Sequence, residues 1–313
     1  MPVLWRMVRA VKVYLAGINS RRWCLTGGGD MEVFLAGLTQ GNLSPYFKTL
    51  PDRFDKETME GNMKVFLAGD VPYKGMYDET IMNHRPYILE SFYYADKDTE
   101  RLLPYYGDFL LDSGAFTFMG GFDFKDNSQG VNFNEYAERY AAFINKNKIE
   151  KYFELDVDVC IGYDKVKELR RYLERATNRQ PIPVWHSTRG KEDFIRCCDE
   201  YPYVALGGIV GGEWNAKAEK CIPWFIQQAH KRGAKIHGLG YTKLEKLKLY
   251  HFDSVDSTAW TAGNRFGYMY WFDGKTMQKT PVPAGNRINN ARRAALNNYI
   301  EWIKFQKYAD THL

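Results

Sequence analysis

From about residue 105 onward, apolar and polar positions alternate between short strand-like runs and longer helix-like segments. The strand-like runs are bounded by polar or turn residues, whereas the segments between them place apolar residues at the three- and four-residue spacing of a helix. The strand-like runs are DFLLDS, KYFELDVDV, PIPVWHS, YVALGGI, AKIHGLG and HFDSVDS. Helices are predicted at 134–147, 163–176, 191–200, 216–232, 242–250 and 289–308.

Two earlier apolar runs, at 63–69 and 87–94, bring the number of predicted strands to about eight. Strands that alternate with helices are typical of a parallel α/β fold, and eight such units favour a (β/α)8 TIM barrel. A doubly wound open sheet is the alternative. No GxGxxG motif follows the first strand, which disfavours the dinucleotide-binding version of that fold.

The region before the alternating pattern repeats one short strand-like sequence. The repeat occurs as VKVYLAG at 11–17, MEVFLAG at 31–37 and MKVFLAG at 63–69. The unequal spacings argue against a solenoid, whose repeats recur at a fixed period. We therefore divide the chain into an N-terminal extension at 1–62, a barrel domain at 63–270 and a C-terminal segment at 271–313 that packs on the barrel.

Composition limits the chemistry that the chain can carry. Hydrophobic residues make up 45% and charged residues 26% of the sequence, as in globular proteins. The five cysteines are odd in number and irregularly spaced, which argues for a reducing compartment rather than a disulfide framework. No CxxC or HxxxH pair indicates a zinc site. The apolar runs are too short to cross a bilayer, and no signal-peptide pattern is present, so we predict a cytoplasmic protein.

The net charge of +5, the pI near 8.7 and the aromatic content of 16% favour a polyanionic partner. The aromatic residues either fill the core or form a surface on which bases stack. Residues 261–308 contain eight Lys or Arg against two acids, a composition suited to phosphate contacts. The alternative is a basic amphipathic helix that packs on the barrel. The candidate nucleic-acid-binding residues are Arg265, Lys275, Lys279, Arg287, Arg292 and Arg293.

Polar residues stand where the predicted strands end, which is where TIM barrels carry their active sites. In KYFELDVDV, strand alternation puts Glu154, Asp156 and Asp158 on one face. Three acids on one face are costly unless that face borders a polar cavity or the acids pair with Lys or Arg. The other strand-end residues are Asp112, Ser113, His186, Ser187, Gly207, Gly208, His237 and Asp256.

Four of these strand ends resemble, in order and spacing, motifs of the tRNA-guanine transglycosylases. They are LLDSGAFTFMGG at 110–121, VALGGIVGGE at 204–213, IHGLG at 236–240 and FDSVDS at 252–257. The family motifs are Asp-Ser-Gly-Gly-Phe, Gly-Gly-Leu-x-x-Gly-Glu, Met-Gly-Val-Gly and Asp-x-x-Asp-Cys. Ala115, His237 and Ser257 replace a Gly, the Met and the Cys. The resemblance covers roughly residues 63–270 and implies a TIM-barrel enzyme that exchanges guanine for a 7-deazaguanine base.

The resemblance also implies roles for the matching residues. Asp256 is the expected nucleophile and Asp112 the expected acid/base. Asp156, or Asp158 in the alternative register, would hold the Watson–Crick edge of the base, and Phe116 and His237 would sandwich its ring. The remaining expected base-binding residues are Ser113, Gly114, His186, Gly207, Gly208 and Ile209. The alternative for His186 and His237 is a core histidine, and the family counterpart of His186 is ambiguous between His186 and Ser187.

The family's tRNA enzymes carry a zinc subdomain with a Cys-x-Cys-x-x-Cys pattern after the nucleophile, but here no cysteine follows Cys221. The chain therefore looks like the short virus-type members that place 7-deazaguanines in DNA, within the host cytoplasm. Its expected partners are DNA and a preQ0-like base, with no metal, cofactor or membrane. The alternatives are a tRNA substrate, a nucleoside deoxyribosyltransferase or glycosidase, and a non-catalytic nucleic-acid-binding subunit. The oligomeric state is left open.

Overall fold

The computed structural model describes residues 63–69, 75, 77–118, 130–208, 218–241, 243–261, 268–281 and 287–313. The predicted N-terminal extension at 1–62, with the first two copies of its repeat, lies outside these residues. The described chain divides into two compact units. The larger unit comprises Gly61–Val184, Thr242–Lys248 and Asp253–Leu313, and the smaller unit comprises Trp185–Tyr241 and Leu249–Phe252.

The fold is of the mixed α/β class, as predicted. Its parallel strands are β1 Lys64–Ala68, β2 Tyr87–Ser91, β3 Asp108–Asp112, β4 Val184–Trp185, β5 Tyr203–Leu206, β6 Lys235–Gly238 and β7 Ser254–Ser257, which belong to one seven-stranded sheet. In the larger unit, the strand order is β3-β2-β1-β7. This parallel order places the carboxyl ends of β3 and β7, with Asp112 and Asp256, on the same edge of the sheet.

The helices are α1 Asp78–His84, α2 Lys97–Leu102, α3 Ala115–Phe118, α4 Phe133–Lys146, α5 Asp158–Ile161, α6 Tyr163–Thr177, α7 Lys191–Glu200, α8 Ile222–Lys231, α9 Leu244–Leu247 and α10 Arg287–His312. An antiparallel pair, β8 Tyr268–Phe272 and β9 Met277–Pro281, precedes α10. The six helices predicted from the periodicity are all present, although the one expected at 242–250 is a single turn. No helix in the described part of the chain is both long and apolar enough to cross a bilayer.

Helix α4 illustrates how the sequence determines a local element. The side chain of Asn132 accepts hydrogen bonds from the N–H groups of Asn134 and Glu135, which caps the first turn. Apolar and aromatic residues then recur at helical spacing and form the buried face. They are Phe133, Tyr136, Ala137, Tyr140, Ala141 and Ile144. This face packs against Leu111 of β3 and Tyr152, so α4 covers the strand that carries Asp112.

The run KYFELDVDV, predicted as a strand, is extended only at its start. Tyr152 pairs with Leu111 and Phe153 pairs with Ile182, each as an isolated parallel bridge. The chain leaves the extended conformation at Val157 (φ −97°, ψ 29°), and Asp158 begins the one-turn helix α5. The strict alternation expected through Asp158 therefore does not hold at its end.

Helix α10 lies along β1 and β2, and its direction can be read from its contacts. The Trp260 indole donates to the carbonyl of Ala68, at the carboxyl end of β1, and its ring packs on Tyr299 with centroids 5.1 Å apart. Gln306 lies seven residues after Tyr299 on α10. Its side chain accepts a hydrogen bond from the N–H of Tyr87, the first residue of β2, and donates one to the Tyr87 carbonyl. The amino-terminal half of α10 thus points towards the edge where the strands end.

Candidate active site

Three aspartates form a carboxylate cluster in the larger unit: Asp112, Asp156 and Asp256. Asp112 ends β3, Asp256 lies in β7, and Asp156 follows the bridge at Phe153. Asp156 and Asp256 are each 5% exposed. Burial, the charge of Asp156 and the charge of Asp256 raise the pKa of Asp112 to about 7, against an opposing hydrogen bond from the Gly114 N–H at 2.8 Å. Because charge interactions weaken with distance, Asp156 and Asp256 lie near Asp112, and we refer to the three aspartates as the carboxylate cluster.

The turn after β3 is built to hold Asp112. Gly114 has φ +84°, and a Cβ on it would lie 2.7 Å from the Cβ of Tyr93 and 3.1 Å from the Ser91 hydroxyl. Only glycine fits this turn, which explains the Asp-Ser-Gly sequence in physical terms. Ser113 is 1% exposed, and its hydroxyl has no hydrogen-bond partner among the described residues. A buried hydroxyl of this kind is suited to bonding a substrate.

Two tyrosines of α4 support this turn, and neither is among the site residues predicted from the sequence. The Tyr136 hydroxyl donates to the carbonyl of Ser113 at 2.7 Å, and the Tyr140 hydroxyl lies 3.1 Å from the carbonyls of Leu111 and Phe153. Burial, followed by the charge of Asp112, raises the pKa of both tyrosines well above its usual value. Both hydroxyls therefore remain protonated and able to donate at neutral pH. Their signal in the sequence is Tyr at two apolar-face positions one turn apart.

Of the two acids considered for base recognition, only Asp156 belongs to the cluster as defined by its effect on Asp112. Asp158 is partly exposed at the start of α5, where its Oδ1 accepts the N–H of Val159 at 3.1 Å. The backbone turn at Val157 removes Asp158 from the alternating face. Asp156 is therefore the acid of this pair that lies near Asp112, and its contact with a base edge stays a prediction.

The third acid of this segment, Glu154, has a structural role. Its Oε2 accepts the Arg170 Nε–H at 2.5 Å, and its Oε1 accepts the Val184 N–H at 2.8 Å. Glu154 is fully buried and Arg170 nearly so. The expected pairing of one acid with a basic residue thus applies to Glu154.

Replacing Arg170 with methionine is expected to lower the free energy of unfolding by about 3–4 kcal/mol, because the buried carboxylate of Glu154 loses its guanidinium partner. Urea denaturation of the wild type and the variant measures this difference. The double variant Glu154→Gln/Arg170→Met is the control and should recover part of the loss. A loss below about 1 kcal/mol in the single variant would contradict the assigned pairing.

Several predicted base-binding residues lie in the smaller unit. His237 is fully buried in β6, opposite Ala205 of β5. His186 follows β4 and is partly buried. Gly207 donates its N–H to the carbonyl of Trp185 at 2.8 Å, and Gly208 has φ +75°. Ile209 lies outside the described residues, and for all five positions contact with a base stays a prediction.

Phe116 belongs to the larger unit and lies in α3, directly after the turn that carries Asp112. Its side chain is 43% exposed, which is unusual for a phenylalanine so close to a buried cluster. Stacking of this ring on a planar ligand stays a prediction.

The predicted nucleic-acid-binding residues are spread along the C-terminal segment. Lys275 lies in the β8–β9 turn, and the Lys279 ammonium lies 4.9 Å from the centroid of the Tyr268 ring. Arg292 and Arg293 are exposed on α10. Arg287 is the first residue of α10 and carries no described side chain, and Arg265 lies outside the described residues.

These basic residues lie at different positions along the direction of the strands. Arg292 and Arg293 precede Tyr299 by about two helical turns, which places them roughly 10 Å further towards the edge where the strands end. Phe272, just before the β8–β9 turn, packs on Phe305 and Tyr308 in the opposite half of α10. Lys275 therefore lies towards the beginning of the strands, away from the carboxylate cluster.

The chain matches none of the protein-family models and none of the curated proteins with which it was compared. The chemistry of the site then follows from its side chains. Within the described residues, no three His, Cys, Asp or Glu side chains are grouped as a metal site. A carboxyl group with a pKa near 7 beside two buried acids is suited to proton transfer at neutral pH and, with a second carboxylate, to substitution at a glycosidic carbon.

Proposed function

We propose that this protein is a DNA-guanine transglycosylase, which exchanges guanine in DNA for a 7-deazaguanine base through a covalent bond between Asp256 and the sugar. The observation that carries the proposal is the placement of Asp112 and Asp256 at the same edge of the parallel sheet, with buried Asp156 near Asp112 and a raised pKa at Asp112. Base exchange with retention needs a carboxylate nucleophile and a second group that both gives and takes a proton. The four motifs described above support the same assignment.

We also propose that the parallel strands close into a (β/α)8 barrel. Parallel pairing continues beyond β3 through the bridge between Leu111 and Tyr152 and the bridge between Phe153 and Ile182. Ile182 lies two residues before β4, so residues 152–153 would act as the eighth strand. A closed barrel has its active site at the carboxyl ends of the strands, where the carboxylate cluster lies.

In the first half-reaction, the Asp256 carboxylate attacks C1′ of the target deoxyguanosine while the C1′–N9 bond breaks. The electron pair of that bond goes to the base, and the protonated form of Asp112 supplies a proton to the leaving guanine. The products are a glycosyl ester on Asp256, free guanine and an ionised Asp112. Because the pKa of Asp112 is about 7, the protonated form is well populated at neutral pH.

In the second half-reaction, the ionised Asp112 removes the N9 proton of the incoming 7-deazaguanine. N9 then attacks C1′, the ester bond breaks, and its electron pair returns to Asp256. Two substitutions on opposite faces of C1′ leave the original stereochemistry. The same group serves first as acid and then as base, for which a pKa near the working pH is the best value.

Asp156 and Ser113 are the groups of the larger unit best placed to bind the base. A carboxylate accepts hydrogen bonds from N1–H and the exocyclic amine of guanine and 7-deazaguanine together. The buried Ser113 hydroxyl is available to bond the base or sugar. Because guanine and 7-deazaguanine share this edge, both the leaving and the incoming base can use the same contacts.

DNA is favoured over tRNA by the C-terminal segment. Its basic and aromatic residues suit phosphate contacts and stacking, and it lacks the cysteines of the family's zinc subdomain. The absence of a 2′-OH also makes positive charge at C1′ easier to develop in DNA, so two carboxylates suffice. A tRNA substrate, or small nucleosides handled by the same carboxylates, is the competing hypothesis.

The proposal is tested by incubating the protein with radiolabelled guanine and, in separate reactions, duplex DNA, single-stranded DNA, tRNA or free deoxynucleosides. We expect label to enter DNA. Label in tRNA alone would overturn the choice of substrate. Label in nucleosides alone would favour a deoxyribosyltransferase, and no label in any acceptor would contradict base exchange.

The arginines of α10 should contribute to DNA binding and Lys275 should not. Replacing Arg292 and Arg293 with glutamine is expected to weaken binding of a 20-nucleotide DNA about tenfold or more at low salt and to reduce the salt dependence by about two phosphate contacts. Fluorescence anisotropy at several salt concentrations measures both quantities. Lys275→Gln is the matched control, because it removes a positive charge from the same C-terminal segment but near the beginning of the strands. Equal losses in both variants would contradict the placement of α10.

A further inference from the structure

A cavity of about 550 Å³ lies beside the turn that carries Asp112 and has no role in the reaction described above. Its volume lies within the range of about 300–1,000 Å³ that is usual for small-ligand sites. The walls are largely aromatic, and the lining also contains one acidic and one basic residue. These residues are Phe92, Tyr93, Phe118, Tyr136, Glu135 and Arg139.

The cavity and the catalytic turn share structural residues. The Tyr136 hydroxyl donates to the carbonyl of Ser113, and the Tyr93 Cβ lies within 2.7 Å of the position that a Cβ on Gly114 would take. The charge of Asp112 is close enough to contribute to the raised pKa of Tyr136. A ligand in the cavity would therefore lie next to the sugar and base at Asp112.

Among the described residues, no side chain neutralises the charge of Arg139. Its guanidinium lies 5.4 Å from the centroid of the Tyr136 ring, and it makes no ion pair within the described residues. Glu135, one turn earlier on α4, is the acid at the spacing that normally pairs with such an arginine. Glu135 instead accepts a hydrogen bond from the Asn132 side chain at 2.7 Å. Arg139 is thus exposed and available to an anion held over the aromatic wall.

The aromatic wall also offers an accessible stacking surface. Tyr93 is 45% exposed and its neighbour Tyr94 is 52% exposed, with the two rings packed edge to face. Buried Phe118 supports Tyr93 from behind, with ring centroids 5.5 Å apart. An exposed tyrosine held rigidly in this way is suited to stack on a base.

We propose that this cavity binds the nucleotide next to the target base, with its base stacked on Tyr93 and its phosphate bound by Arg139. This inference rests on the proposed function. An enzyme that acts on a base in DNA must take that base out of the stack, which leaves its neighbour without a stacking partner. An aromatic surface with a free guanidinium replaces the lost stacking and holds the strand. The Glu135 carboxylate disfavours a second phosphate and accepts from the amino group of adenine, guanine or cytosine.

The test uses the full-length protein and single-stranded 15-nucleotide DNA with one guanine, flanked on one side or the other by 2-aminopurine. Stacking quenches the fluorescence of this base analogue. We expect quenching on one side only, with loss of the quenching and about tenfold weaker binding in Arg139→Gln. Arg171→Gln is the matched control, because Arg171 is an exposed helical arginine paired with Glu174 outside the cavity. This control should behave as the wild type.

Base exchange by the same proteins separates the two proposals. If the wild type binds and quenches through Arg139 but never exchanges guanine, the proposed function fails and the cavity proposal stands. If the wild type exchanges guanine and Arg139→Gln changes neither the quenching nor the KM for DNA, the cavity proposal alone is wrong. Equal effects of Arg171→Gln would also overturn it, as would Arg139-dependent binding of free 7-deazaguanine in place of the oligonucleotide.

Discussion

Asp256→Asn is expected to lower the rate of guanine exchange into DNA by about 10⁴-fold or more, because the amide cannot form the glycosyl ester. The fold should change little. Asn has nearly the same volume as Asp, and Asp256 lies in a cluster of acids whose mutual repulsion the substitution reduces. Initial rates with labelled guanine and saturating DNA measure the effect, and thermal unfolding checks the fold.

The matched control is Asp253→Asn, three residues earlier. Asp253 lies just before β7, and its backbone carbonyl accepts the N–H of Lys64, a contact that the substitution leaves intact. The control should exchange guanine at close to the rate of the wild type. A normal rate in Asp256→Asn, or an equal loss in Asp253→Asn, would show that the nucleophile is a different residue.

Asp112→Asn is expected to lower the exchange rate by about 10³-fold, because the leaving guanine then receives no proton from the protein and the incoming base loses none to it. The wild-type rate should change with pH around 7, since both forms of Asp112 are needed in turn. The residual rate of the variant should lose this dependence. Rates between pH 5 and 9 measure both effects, and an unchanged pH profile would contradict the role of Asp112.

The same variant should also be more stable than the wild type at high pH. The pKa of Asp112 is about 7 in the folded protein and near 3.8 when unfolded, so the folded state retains its proton between these values while the unfolded state releases it. The stability that this carboxyl group provides is present below pH 3.8 and is lost as the pH rises towards 7. Allowing for the partial exposure of Asp112, Asp112→Asn should be about 2 kcal/mol more stable than the wild type at pH 8.

The pH dependence distinguishes this effect from a general change in packing. The stability difference between Asp112→Asn and the wild type should be smallest at pH 4, where the wild-type group is protonated in the folded state and still partly protonated in the unfolded state. Urea denaturation at pH 4, 6 and 8 provides the three values. A difference that does not grow with pH would contradict the raised pKa.

Much of the α/β pattern could be read from the sequence because it depends on local spacing. The apolar runs ending in Asp112 and in the segment with Asp256 are strands, and α4 begins at a capping asparagine next to the predicted start. Likewise, the positive φ of Gly114 belongs to the three-residue Asp-Ser-Gly turn, whereas its close approach to Tyr93 and Ser91 comes from tertiary packing. Features that depend on neighbouring residues of this kind are predictable from one chain.

The different roles of Glu154, Asp156 and Asp158 could not be predicted from the sequence. They depend on Arg170, which lies one helix further along the chain, and on the turn at Val157, which no local pattern signals. For the same reason, the supporting tyrosines of α4 looked like ordinary core positions. Their hydroxyls have a role only because tertiary packing brings α4 against β3 and the turn that follows it.

The covalent intermediate tests the central proposal most directly. The protein is mixed with guanine-containing DNA without free base, denatured, and separated on a gel that resolves protein–DNA adducts, and the adduct is then mapped by mass spectrometry. We predict one adduct, carried by the peptide that contains Asp256 and absent from Asp256→Asn. An adduct on another residue, or one that persists in Asp256→Asn, would contradict the assignment of Asp256 as the nucleophile.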